Sequence, residues 1–157
     1  KLPDGGDIPT LKEVFDLNHE QVPCVVELKV YKSNHHRLVK KVKEFFKENV
    51  KDKSNFILIS FDPRAILLFK FFGILTELLI CINASWVYAL RFVANSIDVE
   101  YGLLENKRYQ KYSNKHLVNS WTIEDKDVLE KVKEHSDLIT FQHIDTAFVQ
   151  DELSFIK

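Results

Sequence analysis

The chain's 157 residues are 45% hydrophobic and 29% charged, which supplies apolar material for one core and excludes a disordered polyelectrolyte. Its 22 basic and 23 acidic residues leave a formal net charge of -1, so no long-range positive field draws it to nucleic acid. The order opens Lys1-Leu2-Pro3-Asp4 and holds no methionine, and it reads as a piece of a longer polypeptide. Cys24 and Cys81 lie in apolar runs without Cys-x-x-Cys spacing, which favours buried free thiols over a single disulfide.

Taken in chain order, the elements alternate. Thr10-Leu11-Lys12-Glu13 has the spacing of a capping box, and Leu11, Val14, Phe15 and Leu17 then give a short helical face. Pro23 punctuates, and the run from Cys24 to Val30 predicts a strand buried on both faces apart from Glu27 and Lys29. Leu38, Val42, Phe45, Phe46 and Val50 mark one side of a helix whose other side carries lysines. Phe56 to Phe61 predicts a second buried strand. Asp62-Pro63 follows as N-cap and first helical residue, opening a helix that ends at Gly73.

A third strand is expected over Glu77 to Ile82, a helix over Ser85 to Val93 and a fourth strand over Ile97 to Leu104. Leu117 to Ile123 gives a fifth strand, Asp125 opens a helix with Val128, Leu129 and Val132 inside, and Ser136 to Phe141 gives a sixth strand before a helical tail from Asp145. The apolar stretch from Ile66 to Ala94 contains Lys70, Glu77 and Arg91, so it reads as helix, turn, buried strand and helix, not as a membrane span. The alternation predicts parallel strands with right-handed crossovers. An open doubly wound sheet and a (β/α)8 barrel both fit, but no Gly-x-Gly-x-x-Gly turn follows a strand, and a full barrel takes about 250 residues.

Side chains two apart on a strand share a face. Val25, Glu27 and Lys29 therefore project together, as do Leu58 and Ser60, with Phe61 at the strand's end, and Asn119 and Trp121. In barrels the C-terminal strand ends build the active site, so Glu27, Lys29, Ser60, Phe61 and Trp121 are expected at one mouth. The bland alternatives are a structural Glu27–Lys29 ion pair and a core Trp121. Ser60 has no recognisable base partner and is weak as a nucleophile. Of the six histidines (His19, His35, His36, His116, His135 and His143), none makes a helical pair of metal-ligand spacing. His35-His36 is placed in a polar connection, and His143 is positioned to approach the mouth. Asn83-Ala84-Ser85 matches a glycosylation sequon of the kind chance produces readily.

Four segments in register, Ile8-Pro9-Thr10-Leu11-Lys12-Glu13-Val14, Val26-Glu27-Leu28-Lys29, Ile59-Ser60-Phe61-Asp62 and Ser120-Trp121-Thr122-Ile123, resemble glycerophosphodiester phosphodiesterases. Leu2-Pro3-Asp4-Gly5 looks most like the eukaryotic branch of that family, and the likeness runs from Leu2 to about Thr140. The resemblance implies that residues 1–157 form the C-terminal part of a TIM-type barrel that lacks its N-terminal strands. It implies a phosphoric diester hydrolase that splits glycerophosphodiesters into glycerol 3-phosphate and an alcohol with Ca²⁺ or Mg²⁺, the alternative being a lysophospholipase D-type activity.

By the same resemblance Glu27 binds the metal, Lys29 lies beside the phosphate, Phe61 and Trp121 pack on the glycerol, and Ser60 supports them. The family's two catalytic histidines belong to motifs upstream of the Ile-Pro-Thr segment, so no catalytic residue is assigned within this chain, which alone should show no turnover. The family's closing Ile-Thr-Asp reads Ile139-Thr140-Phe141 here, which keeps open a non-catalytic relative acting as a binding module. The expected partner is a small-molecule or lysophospholipid phosphodiester. Any membrane association is assigned to segments outside the chain, in a cytoplasmic or membrane-associated setting.

Overall fold

A computed structural model describes residues 3, 5–18 and 21–153, with side chains to residue 149, so His19, Leu2 and Asp4 lie outside the described residues. Six parallel strands pair in chain order without reversal: β1 (Cys24–Glu27), β2 (Phe56–Ser60), β3 (Leu75–Ile80), β4 (Ser96–Glu100), β5 (Val118–Ile123) and β6 (Leu138–Phe141). A doubly wound sheet switches direction at its middle strand, whereas a barrel adds each strand to the same side. This order therefore selects the barrel. β1 and β6 remain the two edges of a curled half-barrel.

The α-helices α1 (Leu11–Asn18), α2 (His35–Asn49), α3 (Pro63–Phe69), α4 (Lys107–Ser113), α5 (Lys126–Val132) and α6 (Thr146–Leu153) join two longer 3-10 segments, Ile82–Val93 and Tyr101–Glu105. The local signals hold where expected. Glu13 Oε2 accepts from the Thr10 amide at 2.7 Å while the Glu13 amide donates to Thr10 Oγ1 at 3.3 Å, a reciprocal capping box. Asp62 accepts from the Arg64 amide at 2.9 Å, with Pro63 at the first helical position, and Asp125 accepts from the Val128 amide at 2.8 Å.

Paired residues of neighbouring parallel strands share a face, so the register sorts the sheet. Val26, Leu58 and Thr76 align on one side, as do Ser60, Leu78, Ile97 and Val118. That convex side packs on the helices in two clusters. One joins Leu28, Val39, Val42, Phe46, Phe56, Leu58 and Phe69; the other joins Ile66, Leu78, Ile80, Ile97, Val99, Val118 and Leu129. The other side is concave and carries Val25, Glu27, Ile59, Glu77, Asp98, Asn119 and Trp121.

Several expectations shift. β1 stops at Glu27, and it is an edge strand whose Val25 is 57% exposed, so it is not buried on both faces. β4 ends at Glu100, beyond which the chain turns into a 3-10 segment, and the segment after β3 is 3-10 and not α-helical, kinked at Ala84. His35 and His36 open α2 instead of lying in a loop, their rings 4.3 Å apart. α4 was not expected, because only Tyr109 of its seven residues is buried and no apolar stripe marks it. Both cysteines are free, and they are half-buried, not buried.

Candidate active site

The C-terminal ends of the first strands open on a cleft of about 810 Å³. Glu27, Lys29 and Phe61 line it together with Tyr31, Arg64 and Trp86. Lys29 Nζ donates to Glu27 Oε2 at 2.7 Å, with the Lys29 side chain 63% and the Glu27 side chain 30% exposed. The hydrogen bond and negative charge of Glu27 raise the Lys29 pKa above its ordinary value, which keeps the ammonium charged. A pair this open to water adds little to stability, so its place at the mouth is not explained by holding the fold together.

Phe61 closes β2 and Trp121 lies on β5, yet their rings meet edge to face at 5.7 Å. The indole Nε1 also donates to the Asp98 carbonyl at 3.3 Å. This contact bridges the concavity; Phe61 lines the cleft, and Trp121 stands behind it outside the lining. Asn119, which shares the Trp121 face, lies deeper: it is 7% exposed and its amide donates to Glu77 Oε1.

Ser60 belongs to the lining of the cleft, as expected, but its hydroxyl is turned from the concave face. In the register Glu27 aligns with Ile59, not Ser60, so the Ser60 side chain points away from the concave face. It is fully buried, donates to the Leu28 carbonyl at 2.7 Å and accepts from the Asp62 amide at 3.1 Å. Leu28 sits between Glu27 and Lys29, so the hydroxyl ties the segment that carries the charged pair to the β2–α3 turn. Ser60→Ala leaves a buried carbonyl and amide unsatisfied and is expected to cost about 1–3 kcal/mol. Chemical denaturation measures it, and a cost near zero would show that the brace is dispensable.

Sequence reading also passed over several groups. Asp62, named only as a helix cap, is gripped by Arg64, whose Nε donates to Oδ1 at 3.0 Å and whose terminal nitrogen donates to Oδ2 at 2.6 Å. The guanidinium holds the Asp62 carboxyl below the usual carboxylate range. Glu100 accepts from the Ile82 amide at 2.7 Å and pins the loop that carries Trp86. None of the described histidines lines the cleft: His143 is exposed beyond β6, His116 stacks on Tyr112, and His135 meets Ser113 Oγ at 3.2 Å. Phe141 aligns with Ile123 and packs against the helical cluster.

Below the mouth the concave face holds two buried carboxyls that periodicity alone does not bring together. Glu77 and Asp98 are 5% and 4% exposed. Glu77 Oε1 accepts from Ser96 Oγ at 2.9 Å as well as from Asn119, while Asp98 Oδ1 has no hydrogen-bond partner. Burial raises the Glu77 pKa, and burial together with the neighbouring Glu77 pushes Asp98 up to about 8.

The architecture is thus a parallel β/α half-barrel with a charged and aromatic cleft at its C-terminal mouth. Its fold is found in solved enzymes. The chain superposes on a glycerophosphodiester phosphodiesterase from Parabacteroides distasonis with a TM-score of 0.70 at 19% identity, covering 92% of this chain and 61% of that one. It matches an Oleispira antarctica phosphodiesterase, solved in complex with the product sn-glycerol-3-phosphate, with a TM-score of 0.71 at 17% identity, over 85% of this chain and 57% of that one. A glycerophosphodiester phosphodiesterase from Thermotoga maritima gives 0.67 at 23% identity, over 94% of this chain and 65% of that one. The chain therefore spans about three-fifths of the length of these structures. No protein-family model matches the chain, and no curated protein matches it by sequence.

Proposed function

We propose that this chain is the C-terminal part of a glycerophosphodiester phosphodiesterase barrel, whose complete form hydrolyses glycerophosphodiesters to glycerol 3-phosphate and an alcohol. The observation that carries the proposal is the Glu27–Lys29 pair, 2.7 Å apart and opening on the mouth cleft beside Phe61, whose ring rests on Trp121. The fold likeness to phosphodiesterases, one of them solved with sn-glycerol-3-phosphate, supports it.

Lys29 supplies a fixed positive charge for a phosphoryl oxygen, and Phe61, backed by Trp121, offers an apolar face to the glycerol carbons. Ser60 holds the strand end behind them. A hard divalent cation wants roughly six to eight oxygen ligands. Among the described residues no group of three His, Cys, Asp or Glu side chains comes together to hold one. Glu27 fits as one carboxylate ligand of a set completed from elsewhere. When bound, such a cation neutralises charge growing on the phosphoryl oxygens. Proton transfer to the leaving alcohol needs an acid that the described histidines do not bring to the cleft, so the isolated chain is expected to show no turnover.

The cleft, at about 810 Å³, extends past Glu27 and Lys29 to Tyr31 and Trp86, which gives room for the acyl chain of a lysophospholipid beside its glycerol. The second reading, a non-catalytic barrel that binds phosphodiesters, draws on Phe141, which is committed to core packing where the resemblance calls for an aspartate. The test is Glu27→Gln in the complete barrel. Turnover of a glycerophosphodiester should fall at least about a hundredfold with unchanged thermal stability. Near-normal turnover would remove Glu27 as a ligand, and absence of turnover in the parent protein would favour the binding module.

A further inference from the structure

At the opposite end of the strands, the connections that lead into β2, β3 and β4 surround a second cleft of about 610 Å³. Lys51, Lys53 and Lys70 line it, with Asp52, Leu75 and Asn95. The lysines are not neutralised by acids. Lys53 Nζ donates to the Phe72 carbonyl at 3.1 Å and Lys70 Nζ to the Phe92 carbonyl at 3.2 Å, both uncharged acceptors. Asp52 is the one carboxylate in the lining, and it is turned to the Ser54 amide and hydroxyl at 2.9 and 2.7 Å. The cleft therefore carries a net positive charge although the whole chain carries -1.

Two phenylalanines flank it. The turn from Lys70 to Gly73, where Gly73 takes a φ of 77° that favours glycine, tucks Phe72 against the core and leaves Phe71 94% exposed. Phe92 is 66% exposed and is tied to the same spot by Lys70. β3 and β4 are the middle strands of the sheet, remote from the β1 and β6 edges.

Exposed aromatic rings beside unneutralised lysines match one chemistry closely. The rings enter the boundary between headgroups and acyl chains, while lysine stems snorkel and their ammonium groups stay at phosphate depth. We infer that this N-terminal face of the half-barrel docks on an anionic phospholipid surface, with lipid phosphates at Lys51, Lys53 and Lys70 and with Phe71 and Phe92 inserted. No helix among the described residues is long and apolar enough to cross a membrane, so the contact is peripheral. It leaves the Glu27–Lys29 mouth facing water, at the far end of the strands, and it does not depend on the activity proposed for that mouth.

The experiment is co-sedimentation of the chain with phosphatidylcholine vesicles that contain about one-third phosphatidylserine, against pure phosphatidylcholine. Binding is expected to the first and not the second, and to be lost in high salt. Lys51→Ala and Lys70→Ala should each weaken it about fivefold. The double variant Phe71→Ala, Phe92→Ala should weaken it about tenfold or more at unchanged circular dichroism. Equal binding to both vesicles, no binding to either, or full binding by the double phenylalanine variant would overturn the inference. So would displacement from vesicles by inorganic phosphate at constant ionic strength, which would assign the cleft to free anions. Equally tight binding to duplex DNA would assign the patch to nucleic acid instead.

Discussion

Asp98→Asn is expected to stabilise the chain at and above neutral pH and to flatten the dependence of its stability on pH. The Asp98 carboxyl is 4% exposed, lacks a hydrogen-bond donor at Oδ1 and has its pKa pushed to about 8 by burial and by Glu77. In the unfolded chain an aspartate titrates near 3.9. Between these values the folded state holds one proton more than the unfolded state, so stability falls as pH rises from about 4 to about 8. The slope is about 1.4 kcal/mol per pH unit, which sums to about 5 kcal/mol across the window.

Asparagine has nearly the same shape and nothing to ionise, so it removes that loss. For a chain of this size the difference corresponds to on the order of 10 °C in Tm at pH 8 and little at pH 4. Thermal unfolding of parent and variant across that range measures it. Parallel Tm curves for the two proteins would mean that Asp98 does not carry the pH dependence. Acidic conditions below this window act through other groups: Asp62 and Asp52, whose pKa values are lowered by Arg64 and Ser54, lose their stabilising charge there.

The second large effect is expected from Phe46→Ala, at about 3–5 kcal/mol of stability. Phe46 is 1% exposed on α2 and meets Phe56 of β2 edge to face at 5.1 Å. Phe56 in turn stacks on Phe15 of α1 at 5.6 Å, so one ring joins three elements. Truncation removes its transfer free energy and leaves a cavity that the surrounding helix and strand cannot fill without moving. Leu67→Ala is the control: Leu67 is 52% exposed on α3, and its loss should stay within about 0.5 kcal/mol. Similar costs for the two variants would mean that the α2–β2 cluster is not the core it appears from burial. The α1–α2–β2 cluster also underlies the edge strand carrying Glu27, so its loss should loosen the mouth as well.

The features legible from residue order alone are short-range. The Thr10–Glu13 box, the Asp62-Pro63 start and the Asp125 cap are i to i+2 or i+3 relations, and they fold as read because both partners lie within one turn of the chain. The β2 run was equally legible from a strand's period of two, and β3 was placed within two residues, whereas Glu27 and Lys29 meet although β1 already ends at Glu27. The choice between barrel and open sheet, the turning of Ser60 behind the strand instead of into the mouth, and the Phe61–Trp121 contact were decided by register between strands. The same holds for Glu77, whose bond to Asn119 spans 42 positions, and for the uncompensated Asp98 beside it. Burial and pairing across a sheet depend on which strands become neighbours, and that is a property of the assembled sheet that no local window of residues contains.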